Sequence, residues 1–287
     1  MSPKMKNFIV RAITGALFVA IMVAGLLDPT AMIGLFALIT GLALWEYTGL
    51  VNNIENVCIN RFISTVAGVY LFVAIAGINS GIIQTNAVFV PYLLTVVYLF
   101  ISELYTRNAN AVNDWAYTML GQMYIALPLA CINVLAFRQQ PDGTISFYFL
   151  LPLSVYIFLW VNDTGAYLSG SLLGRHKLFP RISPGKSWEG SIGGGLLVLV
   201  VAALLGWGED SHECLSGLSV IKWMGLGLVV VFFGTWGDLV ESLFKRTLGI
   251  KDSGSILPGH GGMLDRFDSS LMAIPASVIY IYSLTLL

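Results

Sequence analysis

The most constraining feature of this sequence is a series of apolar runs that follow one another along almost the whole chain. A bilayer core about 30 Å thick requires about 20 mostly apolar residues per spanning helix. Nine runs meet that requirement, namely 10–27, 31–51, 62–79, 87–104, 116–137, 146–165, 191–208, 219–237 and 269–287. The sequence therefore predicts an all-α, polytopic membrane protein with about nine transmembrane helices.

The composition excludes most other classes. Of the 287 residues, 56% are hydrophobic and 11% are charged, against roughly 25% charged in an ordinary soluble domain. So few charges do not make a polar surface for a soluble fold, and the high hydrophobicity excludes disorder. Three cysteines do not form a disulfide framework. A net charge of −1 gives no indication of nucleic-acid binding.

The distribution of Lys and Arg predicts the orientation. If the N-terminus is cytoplasmic, 13 of the 15 basic residues fall on the cytoplasmic side and only Arg138 and Lys222 fall outside, as the positive-inside rule requires. The first run is long for a signal peptide, so we expect an uncleaved helix. We expect residues 1–145 to form five spans. Residues 146–287 are then a catalytic region of four spans with cytoplasmic loops 166–190 and 238–268.

The first charged connection follows Asp163, at the cytoplasmic end of the sixth predicted span. Four basic residues lie between Arg175 and Lys186, and two prolines predict an irregular loop. Lys186 and Ser187 lie among small residues that favour phosphate contact. A P-loop is excluded because Pro180 occupies the position where its first glycine is required. The alternative is a basic segment that contacts anionic lipid headgroups.

The second charged connection combines acids, bases and a glycine-rich turn. Asp238, Glu241 and Ser242 share one face if this segment is helical, and five glycines lie between Gly249 and Gly262. Carboxylates suit Mg²⁺, which binds substrate phosphates, and Lys and Arg neutralise the remaining phosphate oxygens. These are the components of phosphoryl or nucleotidyl transfer. The alternative is a network of salt bridges at helix ends.

The sequence leaves the roles of two ionisable residues, Glu46 and His260, open. Glu46 lies late in the second predicted span, where a carboxylate is either functional or at the membrane interface. His260 either stabilises the turn, contacts phosphate or transfers a proton. Zn²⁺ is disfavoured because the chain has three histidines and no cysteine lies near this turn.

These residues resemble the phosphatidate cytidylyltransferases, also called CDP-diacylglycerol synthases. The family motif reads Ser-x-apolar-Lys-Arg, four residues, Lys-Asp, then a turn to His-Gly-Gly-apolar-x-Asp-Arg-apolar-Asp. Every fixed position is present: Ser242, Lys245, Arg246, Lys251, Asp252, His260, Gly261, Gly262, Asp265, Arg266 and Asp268. The strings around Asp163 and Trp188 are also similar. Where many members have Lys-Lys-Thr, this chain has Gly185-Lys186-Ser187.

The resemblance implies transfer of the CMP moiety of CTP to phosphatidic acid, giving CDP-diacylglycerol and pyrophosphate. It implies that Asp238 and Asp265 bind Mg²⁺ and that they act with Lys245 and Arg246 as the catalytic set. It further implies substrate contacts by Asp163, Lys186, Ser187, Ser242, Lys251, Asp252, His260, Gly261, Gly262, Arg266 and Asp268. A homodimer is expected, in a bacterial inner membrane with the active site facing the cytoplasm.

Two other classes remain alternatives. A CTP-dependent polyprenol kinase would move the γ-phosphate of CTP to a lipid instead of its CMP moiety. An ion-coupled transporter would use Asp163, Asp238 and Asp265 in an ion path, but it requires acids near the bilayer midplane, and these are predicted at helix ends.

Overall fold

The computed structural model describes residues 3–106, 110–140, 142–210, 218–254, 256 and 261–284, except the side chains of residues 3–11 and 210. Its helices are α1 (Pro3–Leu26), α2 (Pro29–Val51), α3 (Arg61–Asn79), α4 (Val90–Ser102), α5 (Ala111–Gly121), α6 (Leu127–Ala130), α7 (Ile132–Ala136), α8 (Leu150–Leu173), α9 (Trp188–Asp210), α10 (Val220–Thr247), α11 (Leu264–Phe267) and α12 (Ser270–Ser283). A 3₁₀ turn (Asn86–Phe89) precedes α4, and a π turn (Gln122–Ala126) joins α5 to α6. Two antiparallel ribbons pair β1 (Phe137–Gln139) with β2 (Ile145–Phe147) and β3 (Lys177–Phe179) with β4 (Ser183–Ser187).

The apolar helices confirm an integral membrane protein. Within the described ranges, five helical segments are long and apolar enough to cross a bilayer: Pro29–Val51, Arg61–Asn79, Ala111–Ala136, Trp188–Glu209 and Val220–Thr247. Two shorter apolar stretches, Ala12–Leu26 and Asn86–Ser102, add to them. The prediction of a mostly helical membrane fold is therefore confirmed, and the count of nine spans stays a prediction.

The first of two compact units comprises Met1–Phe149 and Leu248–Phe267. Asp28 caps the start of α2, where its Oδ1 accepts a hydrogen bond from Ala31 N at 2.8 Å, and Pro29 occupies the first turn. Phe267 of α11 packs edge to face against Phe36, with ring centroids 6.2 Å apart. The end of the second charged connection is thereby anchored on an N-terminal helix.

The second unit comprises Leu150–Thr247 and Asp268–Leu287. Here α8 and α9 cross closely, since a Cβ on Gly165 would lie 2.9 Å from the Cα of Gly194. Small residues at such crossings let helix backbones approach within a membrane. The sequence predicts an irregular loop between these two helices, but the structure forms the β3–β4 hairpin. Ile182 N donates to Phe179 O at 3.2 Å and closes its turn.

Helix α10 extends well past the end of its apolar run. The eighth predicted span ends at residue 237, whereas α10 continues to Thr247. The last three turns therefore carry the acidic and basic side chains of the second connection on a helix. Lys245 and Arg246 lie in the final turn, where cations interact favourably with the helix dipole.

Candidate active site

An ion pair between the two charged connections lies in the second unit. The Nζ atom of Lys186, on β4, is 2.5 Å from Oδ2 of Asp238, on α10. Both side chains are about 30% exposed, at 27% and 30%. The other Asp238 oxygen, Oδ1, accepts a hydrogen bond from Ser242 Oγ at 3.1 Å, one helical turn later. The fold thus brings Lys186 together with Asp238 and Ser242, which lie 52 and 56 positions later in the sequence.

Further carboxylates surround Asp238. A Cβ on Gly237 would lie 2.8 Å from the carbonyl oxygen of Asp268, so α10 packs directly on the segment that precedes α12. Desolvation, followed by the negative charges of Asp238 and Glu241, raises the pKa of Asp268 well above its usual range. The three acids therefore repel one another, and a bound cation would relieve that repulsion.

One predicted phosphate ligand forms a buried ion pair. The Nζ atom of Lys245 lies 2.5 Å from Oε2 of Glu241, and these side chains are 12% and 0% exposed. Arg246, the next residue, is exposed. The structure therefore gives Lys245 a partner within its own helix, whereas Arg246 is the more accessible cation of the two.

The hairpin that carries Lys186 is fixed by Glu189 at the start of α9. The Glu189 carboxylate accepts hydrogen bonds from the backbone N–H groups of Arg175 and His176 at 3.2 Å, and it lies 2.6 Å from His176 Nδ1. Ser187 is buried, and its Oγ accepts from Gly190 N at 3.2 Å, so it serves the hairpin backbone. Asp163, on α8, is exposed.

An apolar groove lies beside the Lys186–Asp238 pair. It has a volume of about 370 Å³ and runs between α9, α10 and the hairpin. Its lining residues are Leu178, Trp188, Ser191, Ile192, Gly195, Leu196, Leu199, Leu228, Val231, Phe232, Thr235 and Trp236. Trp188 and Trp236 are two residues from Lys186 and Asp238 in sequence, so the charged pair lies near one end of the groove.

The glycine-rich segment belongs to the first unit and is organised by Asp265. Its Oδ2 accepts backbone hydrogen bonds from Ser253 N at 2.9 Å and from Gly262 N at 2.8 Å. Gly261 has a φ of +85°, and a Cβ there would lie 2.6 Å from the same oxygen. Asp265 therefore holds the backbone of Ser253 close to that of Gly262, and Gly261 permits the close approach.

Three other predicted site residues of this segment lie at the surface. Lys251, Asp252 and Arg266 are exposed, so they are accessible to a ligand. His260 lies outside the described residues. The two predicted metal ligands, Asp238 and Asp265, belong to different compact units.

Glu46 also contacts this segment, and sequence reasoning left its role open. It lies on α2 and is 8% exposed. Its Oε2 accepts a hydrogen bond from Leu264 N at 2.9 Å and another from Ser253 Oγ at 3.3 Å. The sequence indicates a role for Glu46 only in that it is a single carboxylate within an apolar span. It does not predict contacts with residues more than 200 positions later.

The donor set around Asp238 suits magnesium. Among the described residues, no group of three or more His, Cys, Asp and Glu side chains converges enough to hold a metal alone. Mg²⁺ does not require such a cage, because it usually takes one or two carboxylates and completes its shell with water and substrate phosphates. Asp238, with Asp268 near it, provides carboxylate oxygens of that kind.

Comparison with known proteins finds relatives that match this chain over most of its length. Residues 6–284 match the sequence model of the cytidylyltransferase family. A phosphatidate cytidylyltransferase of Staphylococcus aureus (strain COL) is 32% identical over 267 residues, which cover 93% of this chain and 96% of that protein. A Haemophilus influenzae protein of the same name is 32% identical over 255 residues, covering 84% and 87%. The family expected from the motif is confirmed, and this chain belongs to the cytidylyltransferase family.

Proposed function

We propose that this chain is a phosphatidate cytidylyltransferase, which transfers CMP from CTP to phosphatidic acid. The products are CDP-diacylglycerol, a phospholipid precursor, and pyrophosphate. The observation that carries this function is the match to proteins of that name along nearly the entire chain. Its extent matters because it includes both charged connections as well as the apolar helices.

The reaction joins two anions, so the protein must screen their charges. An oxygen of the phosphatidate phosphate forms a new bond to the α-phosphorus of CTP, while the bond from that phosphorus to the bridging oxygen breaks. Pyrophosphate leaves with the electron pair. The attacking phosphate is already ionised, so no protein side chain must remove a proton.

The side chains have separate tasks in this proposal. Lys186, Arg246, Lys251 and Arg266 bind phosphate oxygens, and Lys245 adds positive charge while paired with Glu241. Asp238 orients Lys186 and takes part in metal binding, with Ser242 supporting it. Asp163, Asp252, His260 and Asp268 stay predicted substrate contacts.

Magnesium is the proposed metal, with Asp238 and Asp265 the ligands that the sequence predicts. When bound, it would neutralise the phosphate charge that develops as pyrophosphate leaves. The carboxylates around Asp238 support this choice.

The apolar groove fits an acyl chain of phosphatidic acid. A lipid phosphate near Lys186 would have its chains beside α9 and α10, and the groove offers an apolar lining next to that lysine. Burial of each methylene in such a lining contributes about 0.8 kcal/mol. The groove thus explains how a charged reaction can take place at a membrane-embedded substrate.

The topology is also part of the proposal. Nine spans with a cytoplasmic N-terminus place both charged connections on the side where CTP is available, because the positive-inside bias favours that arrangement. We place the protein in a bacterial inner membrane, with residues 1–145 as N-terminal helices and 146–287 as the catalytic region. A homodimer stays a prediction.

Radiolabelled CTP distinguishes the candidate reactions. Purified protein in detergent, supplied with Mg²⁺ and phosphatidic acid, should move label from the α-phosphate of CTP into lipid and leave γ-phosphate label in pyrophosphate. Label from the γ-phosphate in lipid would instead identify a kinase. Ion uptake into proteoliposomes without nucleotide turnover would identify a transporter.

Filling the groove should weaken lipid binding selectively. Gly195→Leu adds a side chain to the lining of α9, where a Cβ would have only Val231 nearby, at 3.6 Å. Displacing two methylenes of a bound chain predicts about a tenfold rise in KM for long-chain phosphatidic acid. KM for CTP should not change. Gly208→Leu, on the same helix with no atom within 4 Å of a Cβ, is the matched control. Equal effects of the two variants would remove the groove from the proposal.

A further inference from the structure

The N-terminal helix α2 carries a carboxylate that the proposed reaction does not use. Glu46 lies within a segment that is apolar and long enough to cross a membrane, and it is 8% exposed. An ionisable side chain in such a position is costly unless it is partnered, and it marks a functional site by default. Ser253 and Leu264, which donate hydrogen bonds to it, both belong to the glycine-rich segment that contains Asp265.

We infer that Glu46 is a positioning residue, which holds the glycine-rich segment in its reactive geometry through the acceptor oxygen Oε2. The hydrogen bonds form a closed chain. Leu264 N and Ser253 Oγ donate to Glu46, Ser253 N donates to Asp265 Oδ2, and Asp265 N donates back to Ser253 Oγ at 3.3 Å. One carboxylate on α2 therefore holds Ser253 and the start of α11 together, next to Asp265.

The backbone around Glu46 is shaped to this contact. A Cβ on Gly254 would lie 2.5 Å from Oε1, and a Cβ on Gly262 would lie 2.5 Å from Oε2. A Cβ at either position would have to displace the carboxylate, so the two glycines let the backbone close around it. The hydrogen bonds to Glu46 depend on the length of its side chain, which sets the position of the acceptor oxygen. We therefore expect this position to matter more than the negative charge.

This inference rests on the proposed function, because Asp265 and its turn are assigned to nucleotide and metal binding there. If Glu46 sets that geometry, its loss should raise KM for CTP and the Mg²⁺ concentration for half-maximal rate. A residue that only stabilised the fold would lower the amount of active enzyme, which reduces the maximal rate and leaves both of those constants unchanged.

Three substitutions separate reach from charge. Glu46→Gln keeps an acceptor oxygen at the same reach, so kcat/KM for CTP should fall at most about 10-fold. Glu46→Ala removes both contacts, and Glu46→Asp keeps the charge but is one methylene too short, so each should lose about 100-fold. The opposite order, with Asp active and Gln inactive, would overturn the inference.

Thr40→Val is the matched control. Thr40 is also buried on α2, and its hydroxyl donates a hydrogen bond to Phe36 O, within the helix, at 2.7 Å. This variant should keep wild-type KM for CTP and wild-type Mg²⁺ dependence. If it raised those constants as much as Glu46→Ala does, a general effect of α2 stability would replace the inference.

Hydrogen exchange provides a readout that does not depend on activity. In detergent, Glu46→Ala should accelerate amide exchange in residues 261–267, because Leu264 N loses its acceptor, and should leave α9 unchanged. Unaltered exchange in 261–267 would overturn the inference. If wild-type protein made no CDP-diacylglycerol but the exchange effect appeared, the proposed function would fail while the contact between Glu46 and the turn would stand.

Discussion

Replacement of Asp238 by Asn should nearly abolish the transferase. The amide keeps the size of the side chain but removes the charge that pairs with Lys186 at 2.5 Å. It also removes a carboxylate from the group that includes Asp268 and Glu241, so a cation is held less strongly there. Loss of a group that orients a metal ligand typically costs 10- to 100-fold, so loss of a proposed ligand itself should lower kcat/KM by about 100-fold or more. The labelled-CTP assay measures this directly.

Asp28→Asn is the matched control for that substitution. It makes the same change from carboxylate to amide, but at the N-cap of α2, where Asn caps as well as Asp. The control should keep wild-type activity. The Mg²⁺ concentration for half-maximal rate should rise in Asp238→Asn and stay constant in Asp28→Asn. An Asp238→Asn protein with full activity would remove Asp238 from both the metal set and the catalytic set.

Gly262→Ala should strongly reduce transferase activity. The added Cβ would overlap Ser253 Oγ and lie 2.5 Å from Glu46 Oε2 and 2.7 Å from Gly254 N. The turn would have to open, which moves Asp265 because Gly262 N donates to it. A displacement of about 1 Å can cost 100-fold in rate, so we expect a loss of about that size.

Gly34→Ala separates this steric effect from the general cost of adding a methyl group. Gly34 lies on α2 and has no atom within 4 Å of its would-be Cβ, and alanine favours helix there. Activity and thermal stability in detergent should equal or exceed those of the wild type. Comparable loss of activity in both variants would mean that the turn around Gly262 is not the cause.

The class of fold was predictable because it depends on local chemistry. Apolar runs such as 31–51 and 62–79 reappear as α2 and α3 within two residues at each end, since the bilayer fixes the length of an apolar helix. The C-terminal end of helix α10 was harder to predict, because the apolar run ends at residue 237 and the last turns of the helix are polar. The hairpin of β3 and β4 was missed, since strands of three to five residues carry no reliable periodicity.

The sequence alone also determined the family and the reaction, because a motif of fixed residues spans 27 positions from Ser242 to Asp268. Only the tertiary structure decided which of these side chains meet and what else they contact. It pairs Lys186 with Asp238, gives Lys245 to the buried Glu241, and places Glu46 on the turn of Asp265. The physical reason is that a motif records spacing along one segment, whereas the contact of Lys186 with Asp238 and those of Glu46 with Ser253 and Leu264 join residues from about 50 to more than 200 positions apart, as helix packing dictates.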